Sequence, residues 1–266
     1  MIRALFWRSL RQHAVLLTVL FAAMVLVEFF LVWVSAQMDI GPEFQRFLEA
    51  FLPPEVTEMI FSQFGLTSFE GAVAFGYQHP FSLVGSIAMV VVAATLPAAE
   101  REKGLLDLFL ARPLPRALYL LSVLLFVAMV TVVLPAGLLL GTALGLRVVE
   151  SPAEVGWIGY IPSALAMALL LLAIGSYTLL FATGARRRGI AVAQGVAFTL
   201  LFYWMDFMGD YWDALVYARK ASPFYYFDPG RASFGSGLSP TEITVLGSIA
   251  VVASLLAFYN FQRQDL

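Results

Sequence analysis

The sequence has no cysteine and little charge. With no cysteine in 266 residues there is no disulfide, no thiolate metal site and no cysteine nucleophile, and the redox compartment stays open. Asp, Glu, Lys and Arg together make up 13% of the chain, while 61% is hydrophobic. A soluble domain carries about 25% charged residues, so this chain cannot cover a water-facing surface. A soluble enzyme and a disordered scaffold are both excluded. The two histidines, His13 and His79, lie too far apart in sequence for a histidine metal cluster. Neither lysine, Lys103 or Lys220, is followed by Ser or Thr, so there is no GxxxxGK(S/T) phosphate loop. If ATP is used, another chain must bind it. A net charge of −2 gives no reason to expect nucleic acid. Ser86 and Ser236 sit among small residues, but neither histidine is placed to activate them, and nucleophilic catalysis is poorly supported.

What the sequence has is apolar runs of bilayer length, about 20 residues each. Six are present, at Ala14–Ala36, Pro80–Ala99, Leu118–Leu146, Trp157–Thr183, Ile190–Met208 and Ile243–Phe261. In lipid every backbone group must be satisfied within the segment, so the runs are helices. The expectation is an all-α integral membrane protein with six transmembrane helices in one domain, 1–266. The first run exceeds a signal-peptide core of about 7–15 residues and five spans follow it, so it reads as a span. Eleven of the 16 basic residues fall before span one, between spans two and three, between four and five, and after six. That asymmetry places both termini in the cytoplasm of a multi-pass plasma-membrane protein. Gly137, Gly141 and Gly145, at four-residue spacing, allow close helix approach, within the bundle or between subunits. Pro135 is expected to kink span three.

The segments between spans carry more pattern than simple loops do. In residues 1–13, Ile2, Leu5, Phe6 and Leu10 share one helical face opposite Arg8 and Arg11, as in an interfacial amphipathic helix. In 37–79, Phe44, Phe47, Leu48 and Phe51 follow helical spacing up to Pro53-Pro54, and Val56, Ile60 and Phe64 suggest a second short helix. The loop 100–116 starts with Glu100, Arg101, Glu102, Lys103 and Gly104. A leucine-rich face of Leu105, Leu106, Phe109 and Leu110 follows, then Arg112-Pro113 and Pro115-Arg116. An apolar face at the cytoplasmic boundary needs lipid headgroups or a protein partner, and the physics leaves both open. Residues 209–242 are rich in aromatics, notably Ser222-Pro223-Phe224-Tyr225-Tyr226, and read as an outer re-entrant pair of short helices broken near Pro223, or as a surface aromatic belt. Inside the spans, Glu28 is the one carboxylate far from an end. If ionised it costs several kcal/mol, so it is protonated, paired or facing a wet cavity. Gln194, Thr199, Tyr203 and Trp204, with Tyr177 and Thr178, are the other candidates for a substrate path, or for helix–helix contacts.

The loop after span two resembles that of ABC transporter permeases of the ABC-2 type. Their pattern there is an acidic start, a Gly-Thr-Leu stretch on a leucine-rich short helix, and a Pro-x-x-Arg ending. Glu100 and Glu102 fit the start, and Gly104 through Arg116 fit the rest, with Leu105 in place of Thr and no Lys after Arg116. The Ser222–Tyr226 stretch, the six spans and the amphipathic start extend the likeness over nearly the whole chain. The resemblance implies an exporter in which two permeases, identical or related, form the path above separate ATPase subunits. Those subunits, not this chain, would bind ATP and Mg. It implies ATPase coupling by Glu100, Arg101, Glu102, Lys103, Gly104, Leu105, Leu106, Phe109, Arg112 and Arg116, and an outer gate at Pro223, Phe224, Tyr225 and Tyr226. The aromatic, weakly charged cavity candidates favour a lipid-like or hydrophobic drug substrate. The rival is a proton-coupled secondary transporter using Glu28, which predicts internal pseudo-symmetry that the two halves lack.

Overall fold

A computed structural model describes residues 2–37, 49–51, 53, 57, 68–106, 115–149, 156–209, 211–234 and 237–263. Every regular element among them is helical. Among the described residues six helices are long and apolar enough to cross a bilayer. They are span one, Ile2–Gln37; span two, Phe69–Ala94; span three, Arg116–Val148; span four, Trp157–Gly184; span five, Arg188–Gly209; and span six, Pro240–Gln262. The protein is an all-α membrane protein with the six spans expected.

Side-chain caps open some of these helices, including the Pro80–Ala94 part of span two and span six. Pro80 occupies the first turn after His79, whose ring nitrogen accepts from the Phe81 N–H at 3.3 Å. Span six opens on a capping box, with Ser239 Oγ accepting from the Glu242 N–H at 3.1 Å and Glu242 accepting from the Ser239 N–H at 2.8 Å. Span three continues through Pro135 as one helix.

One expectation is corrected at the N-terminus. The amphipathic stretch 1–13 is not a separate interfacial helix but the start of the 36-residue helix Ile2–Gln37. No Gly or Pro interrupts that stretch, so nothing in it breaks the helix. At ~1.5 Å per residue the helix is ~54 Å long, well beyond a bilayer core of ~30 Å, so it has turns to spare outside the hydrocarbon.

Spans three and four make the centre. Span four is the most enclosed and packs against spans two, three, five and six, with Gly175 letting Val127 and Val90 close on it. Span one lies along span three, where the glycine stripe faces it. A Cβ at Gly137 would stand 3.1 Å from the Phe21 ring, one at Gly141 2.5 Å from the Val25 carbonyl, and one at Gly145 2.7 Å from Val32. The four-residue spacing is therefore used within the bundle. Lipid gives no hydrophobic drive between helices, so close contact of small residues supplies the association.

Segments 38–48, 54–56, 58–67 and 107–114 fall outside the described residues. So do the two short helices expected around Phe44–Phe51 and Val56–Phe64, apart from isolated positions, and with them Phe109 and Arg112.

Candidate functional site

At the arginine-rich end of the bundle, span two stops at Ala94. Thr95 turns the chain, its hydroxyl donating to the Val91 carbonyl at 2.8 Å, and a short helix follows at Leu96–Glu102. Gly104, at φ +65°, ends that helix in the left-handed region that glycine tolerates best. The acidic start and the leucine-rich face of this loop therefore lie on either side of a turn. Glu100, Arg101 and Glu102 close one helix, and Leu105 and Leu106 resume helical structure beyond the turn.

The three charges before the turn each bond to neighbouring helices, Glu100 buried and Glu102 exposed. Buried Glu100 accepts from Arg8 Nη1 at 2.9 Å and from the Tyr119 hydroxyl at 2.5 Å, tying spans one and three together. Arg101 Nη1 donates to the carbonyls of Thr183 and Ala185 at 3.0 and 2.8 Å, serving carbonyls left over at the end of span four. Glu102 Oε2 accepts from the Arg188 N–H at 3.0 Å, a carboxylate placed at the start of span five. Leu106 is wholly buried in the main core, whereas Lys103 and Gly104 are exposed and Leu105 is half-buried. Arg116 Nη1 reaches the Gln262 carbonyl of span six at 3.4 Å. Arg8 and Tyr119, which hold Glu100, carry no sequence signal of that role.

Glu28 is fully buried against spans two and three. Its Oε1 accepts from Thr142 Oγ1 at 3.0 Å, and the Tyr77 hydroxyl lies 3.0 Å from the same threonine oxygen. Its Oε2 has no hydrogen-bond partner among the described residues, and a Cβ at Gly76 would overlap the carboxylate. Neither Thr142 nor Tyr77 stood out in the sequence.

The four path candidates on span five do not share one surface. Thr199 is buried, 2.5 Å from the Tyr177 hydroxyl and donating to the Gly195 carbonyl at 2.7 Å, a helix–helix contact. Tyr203 and Trp204 are exposed, and the Tyr203 ring stands edge-on to Phe224 at 5.5 Å. Gln194 is exposed and lines a groove of about 500 Å³ at the arginine-rich end, with Leu180, Phe181, Arg186, Ile190 and Asn260.

The aromatic segment before span six turns back along span five. The Ser222 hydroxyl donates to the Phe202 carbonyl at 2.8 Å, and Arg219 pairs with Asp206 at 3.3 Å while lying over the Tyr225 ring at 5.0 Å. Phe202 is seven residues before the end of span five at Gly209, so the chain returns ~10 Å along that helix. Shielding by protein allows such backbone at that depth. The expected pair of re-entrant helices is corrected in form. Single 3-10 turns at Asp213–Leu215, Ala218–Ala221 and Pro223–Tyr226 precede a short α-helix, Pro229–Phe234. Ser222 is extended (ψ 134°) before Pro223, which disfavours helix there. Pro223 and Phe224 are buried, Tyr225 is exposed, and the Tyr226 hydroxyl donates to the Lys220 carbonyl at 2.9 Å.

A protein-family model described as "Multidrug efflux system permease Rv1217c, C-terminal domain" matches residues 53–262. A search of curated proteins gives no match.

Proposed function

The chain belongs to the family described as the multidrug efflux system permease Rv1217c, C-terminal domain, and from that premise we propose that it is the membrane-spanning subunit of an ATP-driven exporter of the ABC-2 type. Two permeases, identical or related, form the path, and separate ATPase subunits bind ATP and Mg. The chain itself binds no cofactor and catalyses no reaction. Hydrophobic drugs or lipid-like molecules are the proposed substrates, in keeping with the family's description and with the apolar, weakly charged spans. Both termini are proposed to lie in the cytoplasm, in keeping with the distribution of arginines.

The observation that carries this reading is the anchoring of residues 100–102. Glu100 is bonded to spans one and three, Arg101 to the end of span four and Glu102 to the start of span five, with Lys103 and Gly104 exposed immediately beyond. A partner pressing on the turn at 103–105 would move four spans through charge-assisted hydrogen bonds, which are short and directional. Such coupling is what a path that opens and closes with an ATPase cycle requires, since a two-state element shifts only by the differential free energy applied to it. The coupling roles therefore divide. Lys103, Gly104 and Leu105, with Phe109, Arg112 and Arg116 further on, are proposed to meet the partner, while Glu100, Arg101 and Glu102 transmit.

The test is affinity purification of the chain from its native membrane in mild detergent, with mass spectrometry of what accompanies it. We expect a subunit carrying a phosphate-binding loop, its recovery reduced by Lys103→Glu with Leu105→Asp while membrane insertion is retained. Recovery of the chain alone, with chemical crosslinking as well, would overturn the reading. The rival, proton-coupled transport at Glu28, would then come forward. Its weakness is that Glu28 is wholly buried and one of its oxygens is engaged by Thr142.

A further inference from the structure

The groove of about 500 Å³ at the arginine-rich end has a composition that the transport reading leaves unexplained. It lies where span four ends, span five begins and span six ends. One wall is apolar, formed by Leu180, Phe181 and Ile190. The rest brings together the exposed guanidinium of Arg186 and the side-chain amides of Gln194 and Asn260. Asn260 Nδ2 donates to Thr183 Oγ1 at 3.3 Å. Among the described residues neither Arg186 nor Gln194 has a hydrogen-bond or ion-pair partner, and no Asp or Glu lines the groove.

We propose that this groove is a binding site for an anionic phospholipid of the cytoplasmic leaflet. Its phosphate would be held by Arg186, Gln194 and Asn260, and the start of one acyl chain would lie on Leu180, Phe181 and Ile190. The volume falls within the range of about 300–1,000 Å³ usual for small-molecule sites, enough for a headgroup and the first part of a chain. A guanidinium pairs with phosphate through paired, charge-assisted hydrogen bonds, and the amides add donors beside it. Charge decides between headgroups. With no carboxylate among the described lining residues, none of them compensates the ammonium of a zwitterionic lipid. The inference uses the membrane fold and the proposed orientation, and it is independent of ATP coupling.

The test is native mass spectrometry of the purified full chain in neutral detergent, titrated with phosphatidylglycerol or with phosphatidylcholine of the same acyl chains. We expect one equivalent of phosphatidylglycerol to be retained in preference to phosphatidylcholine. Arg186→Gln combined with Gln194→Leu should weaken retention about tenfold or more, the loss of a charge-assisted contact. Arg186→Lys, which keeps the charge, should keep most of it. Arg187→Gln removes the same charge one residue away, outside the groove lining, and should leave retention within about twofold, while elution and melting of all variants match the parent. Equal retention of both lipids, or equal loss with Arg187→Gln and Arg186→Gln, would overturn the site, since the first means apolar binding alone and the second diffuse attraction to basic residues. Because binding is read on the isolated chain, failure here leaves the transport reading intact. Failure to recover an ATPase likewise leaves the groove to be judged on its own titration.

Discussion

At the scale of single residues, Glu28 and Gly76 form a coupled pair. The carboxyl occupies the space that a side chain at 76 would need, and Gly141 lies so close to span one that a Cβ there would meet Glu28 Cβ at 2.8 Å. Gly76→Ala should destabilise the protein by about 1–3 kcal/mol, the usual cost of overpacking. Glu28→Ala should cost stability by loosening the contact with Thr142. In the double variant the methyl group enters space the carboxyl has left, so the two effects should fall short of additive by more than about 0.5 kcal/mol. Melting of the four proteins in one detergent measures this, and strict additivity would mean that the residues do not compete for the same space. In the sequence, Glu28 was recognisable as an odd residue because a carboxyl deep in a span is rare. Its partners were not, because Tyr77 and Thr142 lie 49 and 114 residues away and follow no local pattern.

Among elements, the segment around the turn at Gly104 shows where pattern and packing part. The sequence reads Leu106 as part of a face offered to a partner, so Leu106→Asp ought to uncouple transport and leave insertion untouched. The structure buries Leu106 completely in the bundle core. An aspartate there would leave a charge without a partner, and a loss above about 4 kcal/mol with failure to fold is expected instead. Leu105→Asp, at a half-buried position, should leave melting within a few degrees of the parent. Comparing expression and melting of the two variants decides the matter, and equal behaviour would contradict the burial. Arg101→Gln with Glu102→Gln, which weakens the ties to spans four and five, should cost about 1–3 kcal/mol in melting and raise the ATP hydrolysed per substrate moved in the reconstituted complex. Helix positions were legible because bilayer length and hydropathy dictate them. Helix ends were less so, since Ser239, His79 and the prolines that cap them lie outside or at the edge of the apolar runs. The bonding of three consecutive charges to neighbouring helices was hidden, because a charged run looks the same whether it faces water, a partner or the ends of neighbouring helices.

For the whole molecule, the absence of cysteine provides a clean background for topology mapping. Tyr217→Cys, at a position 81% exposed in the segment between spans five and six, should react with a membrane-impermeant maleimide on intact cells. Lys103→Cys should react only after the membrane is opened, and the reverse pattern would invert the proposed orientation. The seating of span one along the glycine stripe of span three has a further consequence, for how the chain is made. Thr142 follows Glu28 by 114 residues, so at ~5–20 residues per second the carboxyl waits on the order of ten seconds after synthesis for its partner. During that interval span one has neither its hydrogen bond nor the close helix contact that holds it in the finished protein. Until span three arrives, the cost of the unpaired carboxyl in lipid has to be offset by the apolar remainder of span one alone.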